Sequence, residues 1–169
     1  MATHAQDPPL TAAAVQKLRK AAEQGDAEAQ ANLGWMSYKG EGVPKDLAEA
    51  GRWWRRAAEQ DHAGAQANLG VSYDNGDGVP KDPAEAVLWY RKAAEQGYAF
   101  GQSNLGAMYA RGEGVPKDLV FAYMRANLAA AQGSEIDRTG REALEKMMTP
   151  DQIAEAQKLS REWKPKTKP

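Results

Sequence analysis

The apolar residues of this chain recur every three or four positions within short segments, which is the spacing of one face of an α-helix. Leu33 and Met36 have this spacing in a segment that runs roughly from Ala27 to Lys39. The following segment ends near Gln60, and its apolar residues fall at i, i+3, i+4, i+7 and i+8: Ala50, Trp53, Trp54, Ala57 and Ala58. The pattern therefore predicts two amphipathic helices joined by a short polar loop.

This two-helix pattern repeats at intervals of 36 residues. The Leu-Gly pair at 33–34 returns at 69–70 and 105–106, and the first two units are identical at more than half of their positions. We assign repeats to 27–62, 63–98 and 99–134, preceded by a half-repeat helix at 11–26. One helix pair leaves its apolar face uncovered, so the units must stack on one another. The prediction is one all-α domain, a right-handed superhelical α/α solenoid of about nine helices.

The heptapeptide GEGVPKD at 40–46 returns as GDGVPKD at 76–82 and GEGVPKD at 112–118. Glycines followed by a lysine can hold a phosphate, but a phosphate loop follows a strand and ends in Lys-Ser or Lys-Thr. Here the lysine precedes an aspartate that suits a helix N-cap, and Asp46 with Glu49 predicts a capping box. In the third unit Phe121 replaces the glutamate, so that box is half lost. We interpret the heptapeptide as an interhelical joint.

The two ends of the chain differ from the repeats. We predict a disordered tip at 1–10, capping helices at 135–163 that cover the last repeat, and a disordered tail at 164–169. The start at Thr3-His4-Ala5 fits either the remnant of a removed leader or an ordinary cytosolic N-terminus, so a periplasmic or secreted location and a cytoplasmic one both stay open. The lysines of the tail fit a solubilising role or a weak basic contact.

The repeat closely resembles the Sel-one-like repeat (SLR) family, a relative of the tetratricopeptide repeats with a longer interhelical loop. The resemblance covers about 18–133 and follows the pattern A-x-A-Q-x-N-L-G-x-x-Y-x-x-G-x-G-V-x-x-D-x-x-x-A-x-x-W-x-x-x-A-A-x-x-G. This sequence departs from it at Ser37, Asp61 and Arg125. The resemblance implies a protein-binding adaptor, which in bacteria is often linked to the envelope, secretion, regulation or host contact.

In the related tetratricopeptide solenoids, the first helix of each pair lines the concave face. The resemblance therefore implies a groove that binds a protein or peptide. Its candidate residues are Asn32, Trp35, Tyr38, Lys39, Asn68, Val71, Asn75, Phe100, Asn104 and Arg111.

Two of these assignments keep an alternative. The recurring Asn32, Asn68 and Asn104 could pair with the backbone of an extended peptide, or they could bond neighbouring helices and support stacking. Trp35 could be an exposed anchor, or it could pack against the half-repeat helix at Leu18. Lys39 and Arg111 would suit an acidic partner, although Glu28 and Asp74 weaken that argument.

Composition narrows the remaining possibilities. The net charge is −1, which argues against nucleic-acid binding, and the absence of cysteine excludes disulfides and thiolate metal sites. The longest apolar runs are far shorter than the roughly 18 residues of a membrane helix. The two histidines, His4 and His62, have no partner at catalytic spacing, and no motif of hydrolase chemistry is present. We therefore predict no cofactor, no metal site and no enzyme activity.

The preferred hypothesis is a monomeric adaptor that binds a partner segment in the groove. A self-associating structural element is the alternative. An envelope glycan binder or hydrolase is a third hypothesis, for which the carboxylate arrangement gives little support.

Overall fold

The computed structural model describes residues 11–166, which form nine α-helices and no strand. The predicted all-α solenoid is thereby confirmed. The tip at 1–10 and the last three residues, 167–169, lie outside the described residues. The helices are α1 (Ala12–Glu23), α2 (Ala27–Lys39), α3 (Leu47–Glu59), α4 (Ala63–Asn75), α5 (Pro83–Glu95), α6 (Ala99–Arg111), α7 (Leu119–Ala130), α8 (Glu135–Glu145) and α9 (Pro150–Glu162).

The joint between the two helices of each unit is closed by backbone hydrogen bonds. Gly40 ends α2 in the left-handed conformation (φ +76°), and its N–H and that of Glu41 both donate to the carbonyl of Met36. The N–H of Asp46 donates to the carbonyl of Ser37 at 2.8 Å, which folds the loop back onto the helix. These amide groups are therefore occupied by helix carbonyls, as expected of a structural joint.

The capping box predicted at Asp46 is only half formed. The carboxylate of Asp46 accepts a hydrogen bond from the N–H of Glu49 at 2.8 Å, as an N-cap should. The carboxylate of Glu49, however, accepts from Trp53 Nε1 at 3.2 Å and from Arg19 at 3.4 Å instead of returning to the cap. Glu49 thus links α3 to the half-repeat helix. The reciprocal box does form at the start of α9, between Thr149 and Gln152.

The second glycine of the joint has a further role, which is contact between units. A methyl group on Gly78 would lie 2.2 Å from the carbonyl oxygen of Leu47, at the start of the preceding unit's second helix. Gly114 has the same relation to Pro83, also at 2.2 Å. The second and third joints therefore rest on the unit before them, and only glycine leaves enough room there.

We expect Gly78→Ala to destabilise the fold much more than Gly133→Ala. Both glycines have positive φ, at +71° and +96°, but a methyl group on Gly133 would meet nothing within 4 Å. Backbone strain alone should cost Gly133→Ala about 1–2 kcal/mol, and steric overlap should add about 1–3 kcal/mol for Gly78→Ala. Urea unfolding followed by circular dichroism measures both. Equal losses would show that Gly78 does not hold the units together.

Buried glutamines connect successive units through hydrogen bonds that the sequence pattern alone does not reveal. Gln66 is fully buried, and its Nε2 donates to the carbonyl of Ala58 in the preceding helix at 3.1 Å. Its Oε1 accepts from Gln96 Nε2 at 2.8 Å. The same pairing joins Gln60 to Gln30 at 2.8 Å and Gln132 to Gln102 at 2.9 Å. Each buried amide therefore links the preceding unit to the end of its own unit's second helix.

A double-mutant cycle should detect this pairing. Gln66→Ala and Gln96→Ala should each destabilise the fold, because each leaves the other amide without its partner. Their coupling energy should be about 1 kcal/mol. Gln132 bonds to Gln102, one unit away, so Gln66→Ala combined with Gln132→Ala should be additive. Additivity in the first pair, measured by chemical denaturation, would contradict the pairing.

The predicted capping helices both pack on α7, at the end of the last repeat. Tyr123 of α7 is buried in a cluster with Met148 and Ala156, and its hydroxyl donates to Glu145 at 2.7 Å. The two helices thus cover α7 from two sides, and α9 does not pair closely with α8 as the helices of a repeat do.

The predicted disordered tail differs from the structure at 164–166. The N–H of Lys166 donates to the carbonyl of Glu95 at 2.7 Å, and its Nζ lies 2.8 Å from the carboxylate of the same residue. Trp163 and Pro165 lie against Gly97. The backbone hydrogen bond at the end of α5 fixes this segment, which composition alone could not indicate.

Candidate protein-binding groove

The first helices of the three units, α2, α4 and α6, form the inner layer of the solenoid. α2 contacts α4 and α4 contacts α6, whereas the second helices α3, α5 and α7 are farther from one another. A stack of helix pairs curves toward the layer whose helices are closer together, so α2, α4 and α6 line the concave face. We call this face the groove, and all ten predicted site residues lie on these three helices.

The first unit places an aromatic cluster in the groove. The ring of Trp35 stacks on Tyr38 with centroids 5.8 Å apart, and Tyr38 contacts Trp54 of α3 at 5.6 Å. Trp35 remains 45% exposed, and Lys39 Nζ lies 4.9 Å from the centre of its ring. Leu18 packs into a separate core cluster of α1 and α2. The geometry therefore favours the exposed position of Trp35 over packing against the half-repeat helix.

The middle of the groove is flatter. Val71 is half-buried against the core between the second and third units. Asn75 is exposed, and its amide donates to the carboxylate of Asp77 at 3.1 Å. Ala67, which precedes Asn68, is fully buried.

The third unit combines an exposed apolar side chain with a neutralised charge. Phe100 is 45% exposed. Arg111 lies 2.7 Å from Glu113 and 3.6 Å from Asp74, so two carboxylates already neutralise its guanidinium. This pairing removes one of the two cations that suggested an acidic partner. Lys39 is the predicted site cation that has no carboxylate partner among residues 11–166.

The three asparagines do not behave alike. Asn104 donates to the carbonyl of Phe100 in its own helix at 2.8 Å. Between residues 11 and 166, the side-chain amides of Asn32 and Asn68 make no hydrogen bond to a neighbouring helix. The inter-unit hydrogen bonds belong instead to the buried glutamines. This arrangement leaves Asn32 and Asn68 available to a ligand.

Sequence analysis missed the contribution of α8 to this face. α8 follows α7 at the position that the first helix of a fourth unit would occupy. Ile136 of α8 is 83% exposed, and Met147, which follows the helix, is 60% exposed. The sequence contains these apolar residues in the predicted capping segment. It does not show which side of the capping helices packs against the last repeat and which side stays exposed.

His62 also has hydrogen-bond partners that its position in the sequence did not indicate. Its Nδ1 accepts from the N–H of Ala65 at 3.1 Å and so caps α4, while Nε2 lies 2.9 Å from the carboxylate of Glu28. Asp26, Tyr98 and Ser134 occupy the same position before α2, α6 and α8. His62 is therefore a helix cap that ties two units together.

The groove carries no concentrated set of metal ligands. Across the described part of the chain, no group of three His, Asp or Glu side chains is close enough to hold an ion. None of the helices between residues 11 and 166 combines the length and the apolar character that a membrane span requires.

Stacked antiparallel helix pairs with a concave inner layer define an α-solenoid repeat protein. The Sel1 repeat family model matches 13–26, 27–62, 63–98 and 99–134, and the chain belongs to this family. Three full repeats and one half-repeat thus coincide with the stacked helix pairs.

Solved structures support the same assignment. A protective antigen of uropathogenic Escherichia coli with an SLR fold is 40% identical, with a TM-score of 0.82 over 89% of this chain. A Sel1 repeat protein from Oxalobacter formigenes is 39% identical (TM-score 0.69), and the alignment covers 76% of this chain and 97% of that one. The cysteine-rich protein B of Helicobacter pylori is 25% identical (TM-score 0.59), and the alignment covers 74% of this chain and 95% of that protein.

Two further findings limit the extent of these similarities. The chain spans 32% of the length of the E. coli antigen. No curated protein matches the sequence. Sel1 repeat proteins generally act as scaffolds for protein–protein interaction, and the family is typically non-enzymatic.

Proposed function

We propose that this protein is an adaptor that binds an extended segment of a partner protein in the groove of α2, α4 and α6. The observation that carries the proposal is Trp35, an aromatic ring that is 45% exposed on the concave face and is held by stacking on Tyr38. Exposed aromatic side chains on a rigid scaffold supply most of the binding energy of typical interfaces. Their fixed position also lowers the entropic cost of binding.

The flat middle of the groove suits the backbone of such a segment. Val71 presents little bulk, and Asn68, one turn before it, offers an amide donor and an amide acceptor. A peptide chain has the same donors and acceptors along its length, so an asparagine at this place can pair with it in an extended conformation. Because Arg111 is already neutralised, the charge of the groove does not require a strongly acidic partner.

The proposed place of action is the bacterial envelope, or a secretion or regulatory system connected to it. The E. coli relative that carries the same fold is a protective antigen, which is consistent with exposure to a host. Fractionation of the native host checks this part of the proposal, and recovery only with cytosolic markers would contradict it.

We expect Trp35→Ala to weaken partner binding by about thirtyfold, the effect of losing a hot-spot side chain worth about 2 kcal/mol. Asn68→Ala should weaken it by a smaller factor, because one neutral hydrogen bond contributes about 1 kcal/mol. Affinity capture from the native host with crosslinking mass spectrometry identifies the partner. Isothermal calorimetry then measures the affinity of each variant.

Leu88→Ala is the matched control, since Leu88 is 49% exposed on α5 in the second layer. This variant should bind as the unchanged protein does. Circular dichroism should show the same helicity in all three variants. Normal binding by both groove variants, or an equal loss in the control, would refute the groove assignment.

A self-associating structural element is the second candidate, and the exposed Ile136 and Met147 near the C-terminal end favour it. Large exposed apolar side chains close together often mark an interface. Static light scattering between about 1 and 200 μM tests it: an adaptor that acts alone should stay monomeric over this range. A mass that rises with concentration, and returns to the monomer value in Ile136→Ser, would establish self-association.

A further inference from the structure

A pocket of about 260 Å³ lies between α6, α7 and α8 at the end of the groove. We call it the unit-3 pocket. Its walls are made mainly of small or apolar side chains, among them Ser103, Gly106, Ala110, Ala126, Gly140 and Met147, together with the carboxylate of the buried Asp137. Because Ser103 and Ala110 belong to the groove face of α6, the pocket opens on the surface that the partner segment is proposed to occupy.

The first two units fill the equivalent space with an aromatic ring of their own. Trp54 of α3 lies so close to Gly34 that a methyl group there would be 2.4 Å from the indole. Its Nε1 donates to the carbonyl of Ala31 at 3.3 Å, and its ring contacts Tyr38. In the second unit Tyr90 lies against Gly70 in the same way, at 2.6 Å.

The third unit has counterparts of the residues around this ring, of which only the glycine is unchanged, but it lacks the ring. The residues 72 positions after Ala31, Gly34 and Tyr38 are Ser103, Gly106 and Ala110, and all three line the pocket. The residue that corresponds to Trp54 and Tyr90 is Ala126, whose side chain ends at the methyl group. The unit-3 pocket is therefore the site of an aromatic side chain that the repeat itself does not supply.

Most of the rim of the pocket is apolar as well. Ile136 and Met147 belong to its walls, and Phe100 lines an adjoining cavity that shares Ser103, Ile136 and Asp137 with it. These three side chains are the most exposed large apolar groups at this end of the groove. An aromatic ring that entered the pocket would cover them as well as the small residues inside.

We propose that the unit-3 pocket binds one aromatic side chain of the partner segment, with tryptophan preferred. This inference rests on the proposed function and names the anchor residue of the partner. An indole in the pocket has an acceptor in the carbonyl of Ser103, which corresponds to the Ala31 carbonyl that Trp54 uses. Apolar cavities of about 150 Å³ are large enough to bind benzene, so the volume here is sufficient for a ring.

The proposed occupant is a side chain of the partner segment. The chain outside the described residues consists of 1–10 and 167–169, and neither segment contains Phe, Tyr or Trp. The segment after α9 is in addition held at Glu95 by Lys166. Residues 1–10 and 167–169 therefore do not supply the ring.

Nuclear magnetic resonance of the full ¹⁵N-labelled chain tests the proposal, with N-acetyl-L-tryptophanamide as the probe and N-acetyl-L-leucinamide as the matched control. The tryptophan probe should produce saturable shifts in the amide signals of Gly106, Ala107 and Gly140. The leucine probe should bind at least fivefold more weakly. Shifts that do not saturate, or equal binding of both probes, would overturn the proposal.

Two variants fill the pocket from opposite sides. Ala126→Trp restores the side chain of the first unit, and Gly140→Leu adds bulk from α8, where a methyl group would meet nothing within 4 Å. Each should reduce the affinity for the tryptophan probe at least tenfold, whereas Trp35→Ala should leave it unchanged. Gly140→Leu keeps the test decisive if Ala126→Trp fails to fold. Unchanged probe affinity in the folded variant would refute the assignment.

The captured partner then separates this inference from the proposed function. Loss of partner binding in Trp35→Ala together with normal binding in Ala126→Trp and Gly140→Leu would contradict the pocket and leave the groove intact. Loss only in the pocket variants would contradict the role of Trp35 and support the pocket. A dimer in light scattering that Gly140→Leu abolishes would identify a second copy of this chain as the occupant and overturn the proposal of a partner protein.

Discussion

The buried glutamine at the start of each first helix is the interaction on which the stacking of the units depends. Gln66 has no access to water, so its amide must find partners inside the protein, and those partners belong to two different second helices. An apolar contact could slide along a helix, but a pair of directed hydrogen bonds fixes one register. Repetition at 36-residue intervals gives each junction the same geometry, and the curvature that forms the groove follows from this regularity.

The helices and their order could be predicted from the sequence because local signals agreed with the repeat. Asp46 and Asp82 are N-caps as predicted, and Gly40 ends its helix with positive φ. The hydrogen-bond partner that a side chain selects could not be predicted from these local signals. Glu49 had the spacing of a capping box, yet the indole of Trp53 and the guanidinium of Arg19 compete for its carboxylate. Such competition depends on neighbours from other helices.

The same distinction applies to the site. The groove positions were predicted from helical spacing and family resemblance, and they lie on α2, α4 and α6. Arg111 became neutralised because Asp74 lies on the adjacent helix, 37 residues earlier. The role of α8 and the missing ring in the third unit depended on packing between elements. The substitution at Ala126 is visible in the aligned repeats, but its meaning requires knowledge of what Trp54 contacts.

The third unit departs from the first two at two adjacent buried positions. Arg125 stands where the other units have tryptophan, and its Nε and Nη1 are buried without a partner among the described residues. Burial lowers the pKa of its guanidinium from the usual value. Next to it, Ala126 replaces a ring. The last repeat therefore has a less well satisfied interior than the first two, and α8 and α9 both pack against it.

The attachment of Lys166 to Glu95 has a consequence for how the molecule unfolds. In most solenoids each unit touches only its immediate neighbours, so the end of the array can fray while the middle stays folded. Here the segment after α9 bonds to Glu95, at the end of the second unit's last helix. Opening of the C-terminal helices must break this longer-range link first, which ties the last third of the chain to its centre as one cooperative block.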